Sequence, residues 1–185
     1  RVLYDLGILR FGENRPQEAV KKSRDLADLA GVEIHFIGHL QRNKARATLE
    51  NCRSIHSLNS TRLLAELERR MESLAEPLPD IFVEVNISGE ESKTGLPAEE
   101  LPGLLAELAS CPRVAGKLSG LMTIPPYSSE ADGARPFFRQ LRELRDQLIV
   151  SGLLPSGAGL SMGMSSDFET AIEEGATVVR VGSAI

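Results

Sequence analysis

Leu160-Ser161-Met162-Gly163-Met164-Ser165-Ser166-Asp167-Phe168-Glu169, followed by Val178-Val179-Arg180-Val181-Gly182-Ser183, decides how this chain is read. Two short apolar runs each end in glycine and hydroxyl residues, and the segment between them has helical character. A (β/α)8 barrel builds its phosphate site from such pieces, the loops after its last two strands. Backbone can come close to an anion at Gly163 and Gly182, where no Cβ intrudes. Ser165 or Ser166 is placed to cap the intervening helix, Ser165 to Glu174, whose first N–H groups face the same anion. Either loop alone reads equally as an ordinary turn with a cap. Two in tandem point to phosphate.

The rest of the chain repeats one unit, a short β run, a polar loop and an amphipathic helix. Phe11 begins a strand ending at Gly12-Glu13, and a helix is expected from Asn14 to Ala30. Asn14 serves as its N-cap, Pro16 lies in its first turn, Gln17 stands at the capping-box position and Gly31 ends it. His35 to Gly38 is the next strand and Gln41 to Glu50 the next helix. Ser54 to Leu58 follows, then a helix capped by Asn59 or Ser60, with its stripe on Leu63, Leu67, Met71 and Leu74. In the strand Ile81 to Ile87, Ile81, Val83, Val85 and Ile87 alternate with Phe82, Glu84 and Asn86. The Ser88–Gly95 loop leads to a helix carrying Leu101, Leu104, Leu105 and Leu108. A strand from about Leu118 to Ile124, the Pro-Pro-Tyr-Ser-Ser loop and a helix with Phe137, Phe138, Leu141, Leu144 and Leu148 complete the run. Strict alternation means parallel pairing with right-handed crossovers. Seven strands are counted, and Arg1 to Leu9 reads as the tail of a helix before the first of them. The expectation is an α/β TIM barrel whose first strand precedes Arg1. A doubly wound sheet is the alternative, but no GxGxxG loop follows the first strands.

The chain has 185 residues, a net charge of −5, no Trp and 4% aromatic residues, which argues against nucleic acid or an anionic membrane as partner. No apolar run approaches the roughly 20 residues of a membrane span. Cys52 and Cys111 stand apart, as buried thiols of a cytoplasmic protein do. His35, His39 and His56 have no carboxylates at ligand spacing, so no metal site is expected. Asn86, inside an apolar strand, requires hydrogen-bond partners. The run Leu141 to Asp146 reads as an exposed face with i,i+4 ion pairs.

Residues at the C-terminal ends of the strands are those that carry chemistry in a barrel. Among them, Phe11-Gly12-Glu13-Asn14-x-x-Gln17-Glu18 and His35-Phe36-Ile37-Gly38-x-Leu40-Gln41-x-Asn43-Lys44 form two motifs. Val85-Asn86-Ile87-Ser88-x-Glu90-x-Ser92-Lys93-x-Gly95 and Gly120-Leu121-Met122-Thr123-Ile124-Pro125 form two more. Ser161-Met162-Gly163-Met164-Ser165-x-Asp167 and Arg180-x-Gly182-Ser183-Ala184-Ile185 complete the set. In this order they resemble the pyridoxal 5′-phosphate (PLP) homeostasis protein family, from Phe11 to the last residue.

The resemblance implies a fold-type III PLP-binding barrel, similar to the N-terminal domain of alanine racemase, as one domain over residues 1–185 cut at both ends. It implies a cytoplasmic, monomeric, non-catalytic carrier or buffer of PLP, with PLP-dependent apoenzymes as partners. Ser161, Gly163 and Ser165, with Gly182 and Ser183, would hold the phosphate. Arg180 would lie by the phosphate or the pyridine nitrogen, and Asn14 and Met122 would line the ring. The family's Schiff-base lysine sits on the first barrel strand and is therefore expected upstream of Arg1. Lys21, Lys22, Lys44, Lys93 and Lys117 do not match it. A PLP-dependent racemase-like enzyme is one alternative, although the second, β-rich domain of such enzymes is not found in this sequence. A barrel for another phosphorylated small molecule is the other.

Overall fold

Eight strands are formed among the described residues: β1 (Arg10–Glu13), β2 (Glu33–Phe36), β3 (Ser54–Leu58), β4 (Asp80–Asn86), β5 (Leu96–Pro97), β6 (Leu118–Met122), β7 (Gly159–Met164) and β8 (Val178–Arg180). The computed structural model describes residues 1–90, 92–128 and 132–185. Glu91 of the Ser88–Gly95 loop and Ser129 of the Pro-Pro-Tyr-Ser-Ser loop, both expected in loops, lie outside the described residues. The strand order is β1-β2-β3-β4-β6-β7-β8, and every neighbouring pair is parallel. The two-residue β5, which periodicity does not announce, pairs with the end of β4. Around the sheet lie α1 (Val2–Asp5), α2 (Pro16–Asp25), α3 (Ala45–Leu49), α4 (Thr61–Met71), α5 (Leu101–Glu107), α6 (Pro112–Ala115), α7 (Arg135–Val150) and α8 (Phe168–Glu173). The sheet curls into a nearly closed barrel, because His56 of β3 reaches Ser161 of β7 across two intervening strands. This is the TIM-type architecture expected from the sequence.

Alternation sorts the strands into two faces. Ile81, Val83 and Val85 of β4 are buried in the apolar core, together with Leu63, Leu64, Leu67 and Phe138 of the helices. Phe82 and Glu84, on the other face of β4, are buried inside the barrel. Ser60 caps α4, accepting the Leu63 N–H at 3.3 Å, and Leu63, Leu67 and Met71 form the buried stripe.

Three helix boundaries differ from expectation. Asn14 is not an N-cap: Arg15 precedes Pro16 and is forced into extended backbone (φ −114°, ψ 126°), so α2 begins at Pro16. Asn14 instead packs under the following loop, where a Cβ on Gly38 would stand 2.0 Å from its carbonyl oxygen. The helix also stops at Asp25 rather than Ala30. Beyond it the chain loosens into i,i+3 turns, with Asp28 paired to Arg1, before Gly31 (φ +78°) turns into β2. Finally, α8 begins at Phe168 rather than Ser165, because Asp167 turns back to accept the Met164 N–H at 2.6 Å.

The basic face of α7 is not a run of i,i+4 pairs. Arg135, Arg139 and Arg142 all bond Glu174, a residue 3% exposed at the end of α8. Helices α4 and α6 cap one another in a similar way. Glu68 accepts the Arg113 and Val114 N–H groups, while the Arg113 guanidinium donates to the Met71 and Leu74 carbonyls. Each therefore satisfies helix-end groups of the other.

Candidate functional site

The loops after β7 and β8 are joined at the mouth of the barrel. Ser165 Oγ accepts the Gly182 N–H at 3.0 Å, which leaves the serine's own proton free to donate outward. The Ile185 N–H closes a turn on the Gly182 carbonyl at 3.0 Å. The two glycines differ. A Cβ at Gly163 (φ +94°) would lie 2.5 Å from Ala171 Cβ, so glycine is required there to seat α8 against β7. A Cβ at Gly182 would meet nothing within 4 Å. Open space beside the backbone therefore exists at Gly182, with the exposed Ser183 next to it, and not at Gly163.

Arg180 ends β8 and is half-buried. Its Nη2 donates to the Thr123 carbonyl at 2.8 Å, and its Nη1 lies 3.3 Å from Ser161 Oγ and 3.5 Å from the Ser161 carbonyl. All these acceptors are neutral. Burial pushes the Arg180 guanidinium down to about 10, against the opposing pull of Asp167 and Glu84. A cation held this way, with its charge unmatched by any bonded carboxylate, is suited to receive an anion.

Behind Arg180 the barrel interior is polar. Ser161 Oγ is 2.8 Å from His56 Nδ1, His56 Nε2 is 2.7 Å from Ser54 Oγ, and Ser54 Oγ is 2.6 Å from His35 Nδ1. The His56 ring stacks on Phe82 with centroids 4.4 Å apart. Burial drives His56 down to about 3, with His35 and Arg180 adding to the shift, so the ring is neutral at ordinary pH. Glu84, also interior, accepts from Asn59 and Thr94. Asn86 finds its partners locally, with Ser88 Oγ, the Gly89 N–H and the Glu90 carbonyl, and so shapes the loop after β4. Among the described residues no group of three or more His, Cys, Asp or Glu is arranged to hold a metal.

The whole chain, residues 1–185, matches the family described as alanine racemase, N-terminal domain. It is 46% identical over 185 residues to the pyridoxal phosphate homeostasis protein of Aquifex aeolicus (strain VF5), covering 99% of this chain and 78% of that protein. This chain belongs to the pyridoxal phosphate homeostasis protein family. A solved structure of PipY from Synechococcus elongatus PCC7942, with PLP bound, is 34% identical and superposes with a TM-score of 0.81, covering 98% of this chain and 82% of PipY. Alanine racemase of Clostridium difficile 630, at 14% identity and a TM-score of 0.76 over 98% of this chain and 46% of the racemase, shares the fold.

Within this homeostasis-family barrel, the residues singled out in the sequence fall into distinct places. Ser161 and Arg180 are in contact, and Ser165 and Gly182 are in contact. Ser161 is fully buried, its hydroxyl bonded to His56 and Arg180, so it stands behind the arginine rather than at the mouth. Met122 is fully buried at the end of β6, one residue before the carbonyl that holds Arg180, and Asn14 is exposed at the end of β1. Lys21, Lys22 and Lys117 are paired with Asp25, Glu13 and Glu76. Sequence reasoning missed the interior line of Ser54, His56 and Thr123. Its one signal was a serine and a histidine at i and i+2 of one strand, Ser54-Ile55-His56-Ser57-Leu58, which places both on one face.

Proposed function

We propose that this protein binds PLP at the joined β7 and β8 loops and acts as a carrier or buffer of the cofactor rather than as an enzyme. The observation that carries this reading is Arg180, a cation bonded only to neutral oxygens beside the open space at Gly182. In a chain of this family, whose relative PipY is solved with PLP bound, the anion that completes the arrangement is the cofactor. Ser165 and Ser183 donate hydroxyl protons to the phosphate, and Gly182 keeps its approach clear. Arg180 faces the phosphate or the pyridine nitrogen, Ser161 holds Arg180 in place, and Gly163 seats the helix that supports the loop. Asn14 and Met122 border the ring, Met122 from within the core.

Bound PLP supplies an electron-withdrawing ring. An arginine beside its nitrogen disfavours protonation there and weakens that withdrawal, which suits carriage. The unit is read as one barrel domain over residues 1–185, monomeric and cytoplasmic, serving PLP-dependent apoenzymes. No helix among the described residues is long and apolar enough to cross a membrane.

The test is an absorbance titration with PLP, alongside an assay of alanine racemisation. Arg180→Ala is expected to weaken PLP binding about tenfold or more, the scale of a lost hydrogen bond to a charged group. Unchanged affinity in Arg180→Ala, or sustained racemisation by the native chain, overturns the reading.

A further inference from the structure

A line of polar groups crosses the barrel from Arg180, at the C-terminal end of β8, to Glu33, at the N-terminal end of β2. The contacts run Arg180 Nη1–Ser161 Oγ (3.3 Å), Ser161 Oγ–His56 Nδ1 (2.8 Å), His56 Nε2–Ser54 Oγ (2.7 Å) and Ser54 Oγ–His35 Nδ1 (2.6 Å). His35 Nε2 then lies 3.4 Å from Glu33 Oε2, near the carboxylate but without hydrogen-bond geometry. The two ends are chemically one-sided. A guanidinium only donates and a carboxylate only accepts. Between them, each hydroxyl and each neutral imidazole has a single proton to offer.

One arrangement gives every link its proton. Arg180 donates to Ser161, Ser161 to His56 Nδ1, His56 Nε2–H to Ser54 and Ser54 to His35 Nδ1, which leaves the His35 proton on Nε2, on the side of the Glu33 carboxylate but not hydrogen-bonded to it. The opposite arrangement would turn the bare His35 Nε2 lone pair toward the Glu33 carboxylate and leave the Ser161 proton without a partner in the line.

We propose that His56 is a positioning residue for the ligand site, holding Arg180 through Ser161 as part of a one-way hydrogen-bond chain that runs from Arg180 to His35, with the Glu33 carboxylate beside its far end. That the ligand is PLP rests on the function proposed above, whereas the chain itself does not. The charged groups facing His35 are Glu33 from its own strand, Arg10 from β1 and Arg53 ahead of β3, with the neutral His56 behind it. Burial holds His35 below its ordinary value of 6.5, so both imidazoles are neutral at neutral pH. A proton added to His35 in acid would occupy Nδ1 and oppose the Ser54 hydroxyl. The chain would then reverse, with His56 moving to its Nδ1–H form.

Long-range nitrogen–proton NMR of the ligand-free chain tests the direction. The sequence has 3 histidines, and exposed His39 serves as the reference. At neutral pH both His35 and His56 are expected as neutral Nε2–H tautomers. His56 as an Nδ1–H tautomer or as imidazolium overturns the proposal. The positioning role is read from PLP titrations of variants. His56→Phe keeps a ring on Phe82 but removes the acceptor for Ser161, and is expected to weaken PLP binding about tenfold. His56→Asn offers an acceptor near the Nδ1 position and is expected to recover most of that loss. Ser161→Ala, a smaller change to the core, is expected to weaken binding as His56→Phe does, and the two losses should not add. Full affinity in both His56→Phe and Ser161→Ala, with Arg180→Ala impaired, sinks the proposal. A native chain that fails to bind PLP overturns the cofactor reading, while Nε2–H tautomers still uphold the chain of bonds.

Discussion

Gly163 and Gly182 look alike in the sequence, each in a hydroxyl-rich loop behind a short strand, but different forces select them. Gly163 adopts φ +94° and has Ala171 Cβ where its own Cβ would stand, so the fold requires it. Gly163→Ala is expected to cost roughly 2–4 kcal/mol in urea unfolding, combining backbone strain with overpacking. Gly182 has ordinary backbone and open space, so Gly182→Ala should leave stability within about 0.5 kcal/mol of native. Its effect belongs to binding: a methyl in the anion's approach should weaken PLP affinity, measured by the same titration. Loss of stability at Gly182 with unchanged affinity would reverse these roles. Cys52 presents a simpler case. Burial pushes its thiol up to about 12, with Glu13 adding to the shift. The thiolate that reacts is therefore scarce near neutral pH. Cys52 should resist iodoacetamide in the folded protein and react on unfolding, as peptide mass spectrometry would record.

Helices in this barrel are joined through buried carboxylates rather than through apolar stripes alone. Glu174 is the clearest case, with Arg135, Arg139 and Arg142 brought to one face of α7 by their helical spacing. The guanidinium of Arg139, foremost among its neighbours, holds the Glu174 carboxyl below the ordinary 4.5. The stabilisation is therefore fully present above that value and is lost as pH falls through the lower, folded-state value. Glu174→Gln is expected to cost about 2 kcal/mol at neutral pH, allowing for the partial exposure of the arginines. The gap between variant and native should close in acid, which urea midpoints across a pH series would show. A gap independent of pH would mean that shape, not charge, holds the two helices together.

At the scale of the whole barrel, the interior departs from the branched apolar layers that usually fill this fold. His56, Ser54, Ser161 and Glu84 are all buried and hydrogen-bonded, the barrel giving up apolar packing to hold a cation at its mouth. Ligand binding to such a site stabilises the folded state by mass action. At about a hundred times Kd, PLP should add about 2.7 kcal/mol, or about 5–10 °C in Tm for a chain of this size. Thermal melts with PLP, set beside melts with inorganic phosphate, check this, and equal shifts for the two would leave the ring without a role. Periodicity and punctuation placed all seven barrel strands and their parallel order, because strand alternation, helical stripes and the Ser60 cap act over a few residues. The two loops were legible for the same reason, whereas Arg180 was singled out by the resemblance of its motif to the family. The mutual caps of α4 and α6, the clamp on Glu174 and the line from Arg180 to Glu33 were not. His56 and Ser161 are 105 residues apart, and a polar side chain in a strand carries no mark of its partner. Closing the barrel makes them meet, and the cost of burying unpaired polar groups then requires them to bond.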